Sequence, residues 1–83
     1  MRKLIVITGG SKGIGRAIIE KFAANGFDVA TCARNTTELD ELRSDIERRF
    51  GAQVFTHVAD VSLKENVKAF AAFVEQLNRR VDV

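Results

Sequence analysis

Short apolar runs start at Leu4, Val29, Val54 and Val81, about 25 residues apart, and a segment with helical apolar spacing fills each gap. This alternation leaves little choice of fold. Strands joined through helices run parallel, because a parallel pair needs a long crossover and a helix supplies one. The order reads β-α-β-α-β-α-β, the pattern of an α/β chain. Right-handed crossovers then favour the strand order 3-2-1-4 in a doubly wound parallel sheet. The first two helices fall on one face of that sheet and the third on the other.

Local signals agree with this order. Leu4 to Ile7 is apolar throughout, as a strand buried on both faces requires. Ile14, Ala17, Ile18 and Phe22 share one helical face, and Asn25-Gly26 supplies a left-handed stop. Val29 to Ala33 reads as the second strand. Asn35 caps the next helix, with Glu38 as its reciprocal partner. Leu39, Leu42, Ile46 and Phe50 form that helix's stripe, and Gly51 ends it. Val54 to Val58 is a third strand. Ser62-Leu63-Lys64-Glu65 reads as a second capping box, ahead of a helix face made by Val67, Phe70, Ala71, Val74 and Leu77. Val81-Asp82-Val83 opens a fourth strand. Arg48-Arg49 and Arg79-Arg80 fall in the last turns of two predicted helices, where they complement the helix dipole.

Composition narrows the function classes. The chain has 83 residues, 46% of them hydrophobic, and a net charge of +2. That charge is too small to imply a nucleic-acid partner. The apolar runs are far too short to cross a bilayer, so no membrane partner is expected. Met1-Arg2-Lys3 leads straight into a strand, with no leader expected, and the single cysteine, Cys32, sits in an apolar strand. Both fit a reducing, cytoplasmic setting. A chain this short buries only about 60% of its unfolded surface, so its core is marginal.

Between the first strand and the first helix stands T-G-G-S-K-G-I-G, residues 8 to 15. In a doubly wound sheet, ligands sit beyond the carboxyl ends of the strands near the switch point. Glycines there let the backbone approach a ligand, and the helix start offers unpaired N–H groups and a positive dipole end. Together they suit a phosphate; the competing reading is a tight turn with close helix packing. The spacing Gly9-x-x-x-Gly13-x-Gly15 is not the usual G-x-G-x-x-G. It is not a P-loop either, since Arg16-Ala17 stands where that motif needs Lys and Ser or Thr.

The loop resembles the T-G-x-x-x-G-x-G motif of the short-chain dehydrogenase/reductase family. Val58-Ala59-Asp60-Val61-Ser62 is similar to that family's adenine-binding stretch, and Val81-Asp82-Val83 to the opening of its fourth strand. Lys12 stands where the family's extended branch has a glycine. The resemblance implies a Rossmann-type fold, with residues 1–83 as the amino-terminal part of a single domain of about 240 residues that continues beyond Val83. By position, Gly9, Ser11, Gly13, Ile14 and Gly15 would form the phosphate loop. Ser11 would bond the adenosine ribose or its phosphate, and the Ile14 N–H would meet the pyrophosphate. Asp60 would accept from the adenine amino group and the Val61 N–H would donate to the ring. Asp60 also reads as a plain loop residue ahead of the Ser62 cap.

Dinucleotide choice falls at the end of the second strand, where an acid selects NAD by bonding the ribose 2′-OH. Here the slot holds Ala33, followed by Arg34. A guanidinium donates two parallel hydrogen bonds to a 2′-phosphate, and Lys12 adds a second positive charge. In the family both features mark NADP(H) enzymes; read alone, both are ordinary surface residues. His57, the one histidine, reads as structural.

The resemblance implies reduction of a small-molecule carbonyl to an alcohol by hydride transfer from NADPH, in a homo-oligomer. The family does this with a Ser, a Tyr and a Lys on later elements, the Tyr acting as the general acid with a pKa lowered by the Lys and by the coenzyme's positive charge. This chain has no tyrosine, so residues 1–83 carry no catalytic residue and are expected to be inactive alone. An alternative is a non-catalytic NADP(H)-binding sensor or scaffold module.

Overall fold

A computed structural model describes residues 2–83. Six elements follow in order: β1 (Lys3–Thr8), α1 (Gly13–Ala24), β2 (Phe27–Ala33), α2 (Thr36–Phe50), β3 (Val54–Val58) and α3 (Lys64–Gln76). All pairing is parallel, with Ile5 opposite Val29 and Val29 opposite Val54. The sheet order is β1-β2-β3. The chain is thus the α/β, Rossmann-type arrangement that the alternation predicts.

Val81–Val83 does not form the fourth strand read from the sequence. It lies against β1 all the same. Val83 N–H donates to Leu4 O at 3.3 Å, and Val83 O accepts from Val6 N–H at 3.0 Å. That is the bonding pattern of a single parallel bridge, on the edge of β1 that β2 does not use.

The two sheet faces are covered unequally. On one, Ile5, Val29 and Val54 meet Ile19 and Ala23 of α1 and Leu42 and Ile46 of α2. On the other, Val6 and Cys32 meet Phe70, Phe73 and Val74 of α3. Helix α3 buries one residue, Phe70, whereas α2 on the opposite face buries three, Leu39, Leu42 and Ile46. His57 packs here too, its ring 5.0 Å from that of Phe73. One helix covers this face where two cover the other.

The face that α1 buries differs from the one its apolar spacing marks. Ile19 and Ala23 are buried, whereas Ile14 is 81% exposed. Gly15, Ile19 and Ala23 form one i, i+4 row of the helix. A Cβ on Gly15 would lie 2.6 Å from Gly9 O, and one on Gly10 would run into Ile19 Cδ1. These two glycines bring α1 onto the end of β1 along that row. Ile14, Ala17, Ile18 and Phe22 are left on the helix flank, around an apolar hollow next to Phe27.

Helix ends bring three further corrections. At α2, Asn35 Oδ1 accepts from Glu38 N–H at 3.0 Å and Gly51 closes the helix at φ 69°. The Glu38 carboxylate does not return to the Asn35 backbone; it faces Lys12, 3.0 Å away. At α3, Ser62 is not the cap: Leu63 holds that position without a side-chain bond. Ser62 instead donates its N–H and hydroxyl to Asp60 Oδ1, and Asn66 Oδ1 reaches back to Asp60 N–H. Finally, α3 stops at Gln76, so Arg79-Arg80 lies outside it. Arg79 crosses to Asp28 at 2.8 Å, where Arg2 Nε also donates at 2.6 Å. Buried Asp28 also accepts from Gln53 N–H. Burial pushes this carboxyl up, but Gln53, Arg79 and Arg2 outweigh it and hold it below its ordinary value.

Candidate nucleotide-binding cleft

Beyond the carboxyl ends of β1, β2 and β3 lies an open cleft of about 750 Å³. Gly9, Ser11 and Lys12 come to it from the loop after β1. Cys32, Ala33, Arg34, Asn35 and Glu38 come from the end of β2 and the start of α2. Ala59, Asp60, Val61 and Ser62 come from the loop after β3. Three hydrogen bonds hold these ends together: Gly9 N–H to Cys32 O at 2.9 Å, Ala59 N–H to Ala33 O at 2.9 Å, and Gly10 N–H to Thr31 Oγ1 at 3.3 Å. Thr31 is, with Asp28, one of the two buried polar residues of β2, and its hydroxyl is satisfied by the Gly10 N–H. Its hydroxyl was a visible sequence signal that strand two anchors the loop.

The cleft brings together six of the residues singled out from the sequence: Gly9, Ser11, Lys12, Arg34, Asp60 and Val61. Gly13, Ile14 and Gly15 do not line it; they form the first turn of α1. That turn is open to a ligand. Its cap residue, Lys12, makes no side-chain hydrogen bond, and the first turn holds no acid. By contrast, α2 has both the Asn35 cap and Glu38. The backbone at Gly9 and Gly13 is left-handed, at φ 67° and 59°, with nothing within 4 Å of where a Cβ would stand. These glycines are required by backbone conformation and leave free space beside the loop, whereas Gly10 and Gly15 are required by the protein's own packing.

Charge in the cleft is mixed. Arg34 is exposed at its mouth. The Ser62 hydroxyl and N–H, aided by the Arg34 charge, hold the Asp60 carboxyl below the usual range against the pull of burial. Asp60 Oδ1 is therefore committed to the turn before α3, as its plainer reading has it, and Oδ2 remains as an acceptor. Burial pushes the Cys32 thiol up, a Gly9 backbone hydrogen bond pulling the other way; it is a wall of the cleft rather than a nucleophile. Glu38 is the cleft residue that capping logic alone misplaces.

These donors fit a dinucleotide phosphate: an uncapped helix start, two left-handed glycines beside open space, and two cations at the rim. Comparison with known proteins agrees. A family model described as short chain dehydrogenase matches residues 3–83. A tropinone reductase homologue of Arabidopsis thaliana is 40% identical over 82 residues, 98% of this chain and 30% of its own length. The solved alcohol dehydrogenase of the archaeon Thermococcus sibiricus, complexed with 5-hydroxy-NADP, superposes at a TM-score of 0.92 with 36% identity, covering 99% of this chain and 35% of that one. L-sorbose reductase from Gluconobacter frateurii, complexed with NADPH and L-sorbose, does so at 0.86 with 37% identity, covering 90% of this chain and 28% of that one. The chain spans about a third of the length of the proteins it matches. It belongs to the short-chain dehydrogenase/reductase family of oxidoreductases.

Proposed function

We propose that residues 1–83 are the coenzyme-binding part of an NADPH-dependent oxidoreductase that reduces a carbonyl to an alcohol. They would form the amino-terminal part of one domain that continues past Val83, in a cytoplasmic homo-oligomer. NADPH, when bound, supplies the hydride that adds to the carbonyl carbon. The residues of this chain hold and orient. The Ile14 N–H would meet the pyrophosphate, with the positive end of α1 behind it and Gly13 and Gly15 beside it in the phosphate loop. Ser11 bonds the adenosine ribose or its phosphate. Asp60 Oδ2 accepts from the adenine amino group, and Val61 N–H donates to the ring. Lys12 and Arg34 take the 2′-phosphate, beside an Ala33 methyl that leaves it room.

The observation carrying this reading is the meeting of Lys12 and Arg34 on one cleft, where the end of β2 holds no acid. The NADP and NADPH complexes of the two solved relatives support it. The test is NADPH consumption by the full-length protein with a panel of ketones and ketoses. Turnover dependent on NADPH and a carbonyl is expected. Tight NADPH binding with no turnover on any carbonyl would favour a sensor or scaffold instead.

A further inference from the structure

Lys12 Nζ stands 3.0 Å from Glu38 Oε2, and both side chains line the cleft. The angle is poor for a hydrogen bond, so Oε2, shielded from solvent, has no hydrogen-bond donor at all. Asn35 serves the Glu38 backbone N–H and not its carboxylate. Asp60, the other acid in the cleft, is occupied by Ser62. Among the described residues, Lys12 is the one cation paired with Glu38. The same lysine is the one that the proposed reading assigns to the 2′-phosphate.

We propose that Glu38 is a specificity-determining residue that opposes the 2′-phosphate. In the free protein it holds Lys12. When a 2′-phosphate draws Lys12 away, Glu38 is left as a half-buried, unpaired carboxylate beside a doubly charged anion. Both effects act against NADPH, and neither touches NADH, which lacks the phosphate. Glu38 thus sets how far the cleft favours one coenzyme over the other, with Arg34 pulling in the opposite direction. The inference rests on the proposed NADPH site. Lys12 is 79% exposed and Glu38 25% at their side chains, so water and salt weaken the effect. For like charges under 10 Å apart at a protein surface, removing one alters affinity by about three- to tenfold.

The experiment is calorimetric titration of NADPH and NADH into the full-length protein and into Glu38→Gln, at low and at high salt. Glu38→Gln should tighten NADPH by about three- to tenfold and NADH by less than twofold, with the gap narrowing as salt rises. Glu38→Ala, which removes the charge without an amide, should move NADPH the same way. NADH binding by each variant shows that its cleft is folded. Unchanged or weaker NADPH binding in both variants, with the unmutated protein still preferring NADPH, would overturn the role of Glu38 and leave the coenzyme reading standing. An unmutated protein that binds both coenzymes equally, or neither, would overturn the reading and the inference with it.

Discussion

Gly15→Ala adds one methyl group, and in this structure its cost has a definite sign. Gly15 lies inside α1, where alanine ordinarily stabilises over glycine by about 0.8–1 kcal/mol. Here the new Cβ would sit 2.6 Å from Gly9 O and 3.1 Å from Gly10 Cα. Both are backbone atoms that cannot swing aside. Ordinary contact begins near 3.4 Å, so helix and loop must part by several tenths of an ångström. Overpacking of this kind costs roughly 1–3 kcal/mol. Because the clashing atoms are backbone, the upper half of that range applies, about 2–3 kcal/mol, and set against the helix gain a net destabilisation of about 1–2 kcal/mol is expected. The Gly9 peptide also walls the cleft, so NADPH affinity per folded molecule should fall as well. Urea unfolding of the full-length protein, followed by circular dichroism, reads the first effect and coenzyme titration the second. Gly13→Ala is the control. Its Cβ meets nothing within 4 Å but must sit at φ 59°, a conformational cost of about 1–2 kcal/mol with no protein clash. Any loss of coenzyme affinity there reports the ligand's own need for space. A Gly15→Ala protein that is as stable as the unmutated one, or more so, would refute the packing argument.

Three other outcomes follow from the geometry. Asp28→Asn should cost about 2–3 kcal/mol, at or below the low end of the roughly 3–5 kcal/mol for a broken buried pair, because Arg2 and Arg79 can each still reach water. The folded pKa of Asp28 is depressed, so its contribution is present above the unfolded value of about 3.9 and is lost as pH falls through the lower folded value; the variant should show a shallower loss of stability in acid, and an acid profile parallel to that of the unmutated protein would contradict this. Asp60→Ala should weaken NADPH by roughly tenfold through the lost adenine acceptor and loosen the start of α3; a variant with intact coenzyme affinity per folded molecule would assign Asp60 to the turn alone. Residues 1–83 expressed alone should associate in sedimentation and show no carbonyl reduction, since α3 alone covers one sheet face and Val67 of α3 is itself left 45% exposed; a monomer that turns over substrate would contradict both halves.

Much of this was legible because parallel strands and their crossover helices are local in sequence. The runs at Leu4, Val29 and Val54 became β1, β2 and β3, and the Asn35 cap and Gly51 stop formed where their chemistry places them. Features set by distant contacts were not legible. Apolar spacing marks a stripe on α1, but Gly10 and Gly15 decide which row of that helix meets the sheet. Arg79 reads as a helix-end charge until the fold brings Asp28 within reach. Ser62 reads as a cap until Asp60 claims its donors. In the cleft, the glycines and the basic residues carry their own signal. Glu38 does not, because its carboxylate follows Lys12 across two loops.

The central claim is that the cleft takes a dinucleotide bearing a 2′-phosphate. Titrating NADPH and NADH into the unmutated full-length protein and into Arg34→Asp tests it most directly. A charge-assisted hydrogen bond contributes roughly 1.5–3 kcal/mol, so NADPH should bind about 10- to 100-fold more tightly than NADH, and Arg34→Asp should erase that margin with little loss of NADH binding. Equal affinities in the unmutated protein, or a margin that survives Arg34→Asp, would contradict the claim.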